Sequence, residues 1–341
     1  MTMRVLAYEY LSTGALDGQP GAASLRTEGL AMLTAVIADL AACPGVEVHT
    51  LIAADRAERV PPCVVHRCDP AGEEEAFRRL AGEVDACLVI APECDDLLAR
   101  RCEWVVEAGS RLLGPAPEAV RLTADKLELA RRLSDAGVPT PATWPLCDLR
   151  LPCVVKPRFG VGAQAIFRVE TRADVEAALQ TARAEGWTGE LIAQQFVPGR
   201  LAHRSISWLI GPRDRVALPA CEQTLSDDGR FRYAGGAVPV APADDALVRA
   251  ASERAIAAVP GLAGYVGVDV VIADGAAWVI EINPRLTTSY VGLRRLAAFN
   301  PMNTLLRLLD GRDAGPTPWH ADRRIRFTPE GTCTDEPLSF E

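Results

Sequence analysis

The sequence predicts an open parallel α/β sheet at the N-terminus followed by an α+β region, and two patterns predict it. In the first third, short apolar runs alternate with helical segments across short links, the order of a parallel sheet covered by helices. Beyond Gly137, Pro139 and Pro141 the runs lengthen and pair around turn residues, with fewer helices between them. A third observation bears on function. Only two of the 36 basic residues are lysines, Lys126 and Lys156. With arginine supplying general positive charge, those two mark places where a compact ammonium is wanted instead of a planar guanidinium. The competing explanation is compositional bias, so the flanking sequence has to decide.

Taken in order, 4–8 (Arg-Val-Leu-Ala-Tyr) reads as a buried strand and 26–42 as a helix stopped by Pro44-Gly45. A second strand is predicted over 46–52, a helix over 73–83, a third strand over 87–90, a helix over 95–108 and a short fourth strand over 112–114. The loop after the first strand, Glu9-Tyr10-Leu11-Ser12-Thr13-Gly14, lacks the Gly-x-Gly-x-x-Gly turn of a dinucleotide site, which removes the main support for an oxidoreductase. It lies where such sheets bind ligands, so it is either a small-substrate loop or an ordinary connection. One helix is expected over 118–136, running through Lys126 to Gly137. A hairpin over 151–156 and 165–169, a helix over 173–185 and strands over 191–197, 205–210, 216–222, 266–272 and 278–282 follow. The expected domains are 1–115, the N-terminal α/β unit; 116–190, a linker helix and small subdomain; 191–310, a large subdomain with a metal site; and 311–341, a polar, proline-containing tail or cover with little structure.

Composition excludes several classes. A formal net charge of -9 is wrong for a nucleic-acid binder, which needs a basic face. No apolar stretch reaches the roughly 18 residues that span a bilayer, and the N-terminus shows no signal-peptide pattern, so a cytoplasmic protein without a membrane partner is expected. The ten cysteines form no Cys-x-x-Cys pair and several sit in apolar runs, as expected of small core residues in a reducing compartment.

The chemistry concentrates in four segments. Strands around Asp269 and around Glu281 and Asn283 are separated by Ala273-Asp274-Gly275, a hairpin turn. Alternation puts Glu281 and Asn283 on one face, and Asp269 on the partner strand is close enough to join them. Two carboxylates and an amide oxygen suit magnesium or manganese. The alternative is a Glu281–Arg285 ion pair with Asn283 capping a turn. Arg285 has a fork suited to bidentate contact with a phosphate or carboxylate, or to an ion pair with one of those acids. Val154-Val155-Lys156-Pro157 leads into a loop containing Gly160 and Gly162, whose N–H groups can face phosphate oxygens. Gln194-Gln195-Phe196-Val197 offers amide and backbone groups beside an apolar slot, suited to adenine or simply an ordinary strand.

In that order and spacing these segments resemble the ATP-grasp superfamily over about residues 115 to 310, and the leading α/β unit is similar to the domain that usually precedes that module. The resemblance implies an N-terminal open parallel sheet (pre-ATP-grasp) followed by a two-subdomain ATP-grasp module. It implies that Lys126 and Lys156 contact ATP phosphates, that Gln194 to Val197 hold adenine, and that Asp269, Glu281 and Asn283 hold one or two magnesium ions. One departure is visible: the stretch from Pro198 to Ser205 has no acid for ribose. The opening run and Asn283-Pro284-Arg285-Leu286-Thr287-Thr288-Ser289-Tyr290 also look like the tyramine–glutamate ligases of methanofuran biosynthesis and their bacterial relatives. The function implied is an ADP-forming carboxylate–amine ligase acting on small molecules, with glutamate and tyramine as the expected pair, through an acyl phosphate, with Arg285 and Lys156 in catalytic roles. A phosphotransferase on the same fold and a nucleotide-binding regulator without turnover are the rivals. A general base is not evident; His203 qualifies only by elimination. Assembly as a homodimer is left open.

Overall fold

The computed structural model describes residues 2–18, 21–197 and 202–340. The N-terminal unit runs β1 (Met3–Glu9), α1 (Ala22–Ala41), β2 (Val46–Ala53), β3 (Val64–Cys68), α2 (Glu73–Glu83), β4 (Ala86–Ile90), α3 (Leu97–Glu107) and β5 (Arg111–Leu112). Its five strands pair in parallel in the order β3-β2-β1-β4-β5. Val5, Leu6, Ala7 and Tyr8 of the central strand are fully buried, as a strand covered on both faces requires. Each large apolar side chain so buried contributes about 1.5–3 kcal/mol. Strand β3 was not expected. It lies at the sheet edge with Val64 and Val65 exposed, so its apolar signal is weak.

The helix expected over 118–136 is two helices, α4 (Pro117–Ala124) and α5 (Lys126–Asp135), broken at Asp125. The Asp125 carboxylate accepts from the N–H groups of Leu127 and Glu128, both at 3.2 Å, and from Arg158 Nε at 2.8 Å. This cap starts a new helix at Lys126. The small sheet follows: β6 (Thr143–Pro145), β7 (Cys153–Pro157), β8 (Phe167–Val169), α6 (Arg172–Ala184) and β9 (Leu191–Gln195), ordered β6-β9-β7-β8. The expected hairpin is present as β7–β8. The boundary drawn at residue 190 is not a structural one, because β9 pairs with β7 inside this sheet.

The large sheet holds β10 (Ala202–Ile210), β11 (Arg215–Ala217), β12 (Cys221–Leu225), β13 (Tyr233–Val238), then after α7 (Pro242–Ala257) β14 (Gly264–Ala273) and β15 (Ala276–Asn283), and after α8 (Ser289–Leu296) and α9 (Pro301–Leu309) β16 (Arg323–Phe327) and β17 (Cys333–Pro337). Its main path is β15-β14-β10-β12-β13-β16-β17. The tail expected to be loosely structured therefore supplies two sheet strands. Ile325 and Phe327 are buried between β13 and α8, and apolar alternation in Arg-Arg-Ile-Arg-Phe is hidden among three arginines.

One core joins the two halves. Val36, Ile37 and Leu40 of α1 pack with Tyr290, Leu293, Met302 and Phe327. Within it Asp39 accepts from the Tyr290 hydroxyl and from Arg294, Nη2 to Oδ1 at 2.6 Å. Helix α1 is thus fixed to the large sheet, which holds the carboxyl ends of the N-terminal strands over the second half of the chain. All ten cysteines are free and only Cys147 is exposed. Among the described residues no helix is long and apolar enough to cross a membrane.

Candidate active site

A cavity of about 510 Å³ lies between the N-terminal sheet and the small and large sheets. Lys126, Lys156, Gly162, Gln194, Gln195, Phe196, Val197, Asp269, Glu281, Asn283 and Arg285 all line it. Gly160 does not, but its carbonyl accepts from Lys126 Nζ at 2.9 Å, so the glycine loop touches the same group. Segments far apart in the chain therefore converge.

Strand β14 and strand β15 turn through Asp274 and Gly275, both with positive φ (50° and 77°), a conformation that favours glycine at the second position. The hairpin sets Asp269 directly opposite Glu281 and Gly267 opposite Asn283. Asn283 Nδ2 donates to Asp269 Oδ2 at 3.0 Å, and Gln223 Nε2 from β12 donates to Asp269 Oδ1 at 2.9 Å. Glu281 lies 3.7 Å from Lys126 Nζ. Burial and the Glu281 charge push the Asp269 carboxyl up, while the Lys126 and Lys156 ammoniums hold Glu281 down against its own burial. Two acids facing each other across a strand pair are penalised unless a proton or a cation sits between them. The set fits a divalent cation on those grounds: two carboxylates and an amide oxygen, with the Asn283 oxygen not used in its bond to Asp269.

Lys156 is 4% exposed and donates to Gln194 Oε1 at 2.8 Å. Burial lowers its pKa to about 8, although Glu281 pulls the other way. The Gln194 amide is itself fixed by Thr143, Nε2 to Oγ1 at 3.1 Å. Strand β9 ends at Gln195, so Phe196 and Val197 lie beyond it on the cavity wall. Residues 198–201, the first half of the stretch lacking a ribose acid, lie outside the described residues.

Arg285 pairs with Glu93, not with Glu281. Its Nε lies 2.8 Å from Glu93 Oε1, and its Nη2 donates to Glu93 Oε2 at 3.2 Å. The Nε approach is an ion pair whose angle is poor for a hydrogen bond, so the Nη2 contact supplies the direction. Glu93 follows β4 at the carboxyl end of the N-terminal sheet, and no local pattern marked it. Glu28 also lines the cavity and was likewise missed, while Glu9 and Leu11 bring the loop read as a small-substrate candidate onto the cavity wall. The signal for that loop was Glu9's place at the end of a buried strand. His203 lies opposite Val271 on β10, on the wall shared with Phe231, two residues along β14 from Asp269.

Comparisons with known proteins agree with this architecture. Residues 123–289 match the model of the ATP-grasp domain, and residues 48–120 match that of the pre ATP-grasp 3 domain. The tyramine–L-glutamate ligase of Methanocaldococcus jannaschii is 27% identical over 211 residues, 62% of this chain and 59% of that protein. The chain thus spans about three-fifths of that relative's length. Among solved structures, an ATP-grasp superfamily protein from Archaeoglobus fulgidus superposes with a TM-score of 0.73 at 26% identity, covering 95% of this chain and 92% of the other. The biotin carboxylase domain of the Hydrogenobacter thermophilus 2-oxoglutarate carboxylase, solved with Mg-ADP, gives 0.70 at 15% identity over 96% and 74% of the two chains and shares the fold. With both models matched in chain order and the fold shared end to end, this protein belongs to the ATP-grasp superfamily.

Proposed function

We propose that this chain is an ADP-forming carboxylate–amine ligase. The observation that carries the reading is the meeting of Lys126, Lys156, Asp269, Glu281 and Asn283 around one cavity that continues to the carboxyl ends of the N-terminal strands. ATP-grasp enzymes use ATP and Mg2+. Here Lys126 and Lys156 would face the phosphates, Gln194 to Val197 the adenine, and Asp269, Glu281 and Asn283 would hold Mg2+, which when bound offsets phosphate charge. The substrate carboxylate would attack the γ-phosphate, giving an acyl phosphate and ADP, and an amine would then displace phosphate to form the amide. The protein's part is positioning and electrostatics. Arg285, oriented by Glu93, would face the acyl group as it becomes an oxyanion. Likeness to the tyramine–glutamate ligase supports glutamate and tyramine as the pair, in a methanofuran-type pathway.

The test is ADP release from the purified chain with Mg-ATP, glutamate and a panel of amines. ADP formed in step with amide, and dependent on both substrates, is expected. Stoichiometric phosphorylation of an acceptor without amine would replace the ligase with a phosphotransferase, and no ADP across a broad panel would leave a nucleotide-binding regulator.

A further inference from the structure

The cavity has a second end that the nucleotide and metal residues do not use. At the carboxyl end of β1, Glu9 is 1% exposed, with Oε1 accepting from Leu11 N–H at 3.0 Å and Oε2 from Ser12 N–H at 2.8 Å and Ser12 Oγ at 2.6 Å. Helix α1 passes so close that a Cβ on Gly29 would lie 2.5 Å from the Glu9 carboxyl carbon, so the glycine makes room for this acid. Next to it, Glu28 faces the same space and accepts from Thr288 Oγ1 at 3.3 Å. The Arg285 charge acts on both. That guanidinium is already paired with Glu93. Both lysines of the chain sit at the nucleotide end. Arg232, also on the wall, is paired with Asp228, so three carboxylates share the guanidinium of Arg285. The wall beside them is apolar: Leu11, Leu25, Met32, Ile90 and Pro92.

We infer that this end is a subsite for the ammonium group of a substrate with an apolar body, with Glu28 as its direct partner and Glu9 fixed behind it. A charge excess of this sign, out of water, favours a cation and repels a phosphate or a sugar phosphate. Burial raises the pKa of Glu28 and takes that of Glu9 up to about 7, so Glu9 is partly protonated at neutral pH and takes its full charge when a cation sits beside it. The inference deepens the ligase reading and rests on it for the substrate's place. An ammonium here belongs either to the amine co-substrate or to the α-amino group of an amino-acid substrate, and both present the same chemistry.

The experiment is calorimetric titration of the full chain in Mg-ADP with two matched pairs: tyramine against the alcohol tyrosol, and glutamate against glutarate, with ribose 5-phosphate as the anionic control. One member bearing an ammonium binds about 10- to 100-fold tighter than its partner without one, the range for a hydrogen bond to a charged group. The pair that shows the difference identifies the source. Glu28→Gln, which keeps size and hydrogen bonding on a helix surface, abolishes the difference and leaves Mg-ADP affinity unchanged. Equal or absent binding within both wild-type pairs overturns the inference, as does tighter binding of ribose 5-phosphate or a preference that survives in Glu28→Gln. Because the wild-type pairs need neither turnover nor the variant, a failure of ADP release would sink the ligase reading without touching this result.

Discussion

At the Lys156 end of the cavity, two ammonium groups face Glu281 and an Asp269 whose carboxyl is pushed up, so the set carries no excess of negative charge before any ligand arrives. At the N-terminal end, three carboxylates share the guanidinium of Arg285. The first end suits a polyanion that brings its own dication; the second suits a cation. The two also differ in how they are held. The nucleotide end hangs on one hairpin and two strand ends, whose register alone sets Asp269 against Glu281. The acidic end is assembled from β1, α1, the turn after β4 and the turn before α8, and exists only because α1 is clamped to α8 through Asp39, Tyr290 and Arg294. On the proposed function the cavity would take two substrates of opposite charge side by side, with Arg285 at the join.

The largest expected effect comes from breaking the Lys156 end. Glu281→Gln removes a carboxylate of the proposed cation set and leaves Lys126 without its acid partner. ADP release should fall about 100- to 1000-fold, the usual loss for one preorganised electrostatic group, in a variant that still folds by circular dichroism. Near-normal turnover in a coupled assay would remove Glu281 from the metal set. Next come Lys156→Arg and Lys126→Arg, which keep the charge but replace a compact donor by a planar fork. Lys156 is buried against Gln194, so its variant should lose about 10- to 100-fold in kcat/KM for ATP, and Lys126 less. Two arginine variants with normal ATP use would reduce the rarity of lysine to codon bias.

The smallest effect is one of pH. Burial lowers Lys156 from an ordinary 10.5 to about 8, so in the free protein its ammonium is complete below pH 8 and lost above it. A pH profile of kcat/KM for ATP should bend downward near 8, by about tenfold per unit beyond, and Lys156→Arg should move that limb upward. The stability sign is opposite. The penalty for burying this ammonium is present in full below pH 8 and is relieved as pH rises toward 10.5, because the folded chain then binds fewer protons than the unfolded one. A flat rate profile to pH 9.5 would mean that the Lys156 charge is not used in capturing ATP.

Legibility followed the same division. Asp269, Glu281 and Asn283 were readable because alternation along a strand and a two-residue turn settle which side chains meet. Lys156 and the glycine loop were readable for a related reason, being consecutive in the chain. Lys126 was placed correctly, but the break before it was not, since Asp125 caps a helix only when its carboxylate is turned back onto the following N–H groups. The strands of residues 323–337 were hidden by Arg323, Arg324 and Arg326, among which only Ile325 and Phe327 are buried. His203, reached by elimination as a base, sits on the nucleotide side of the cavity, beside Phe231 and Val271.

What the sequence determined by itself is the α/β alternation of the N-terminal unit apart from β3, the hairpins β7–β8 and β14–β15, the ATP-grasp resemblance and which residues gather around Lys156, because each rests on interactions within a few positions of the chain. What only the tertiary structure decided is which acid takes Arg285 and what lies across from the nucleotide. Glu93 and Arg285 are 192 positions apart, and Glu28 and Thr288 are 260 apart. Contacts of that separation leave no periodicity or spacing to read. They follow from burying the apolar face of α1 against α8, and the acidic end of the cavity follows from that packing.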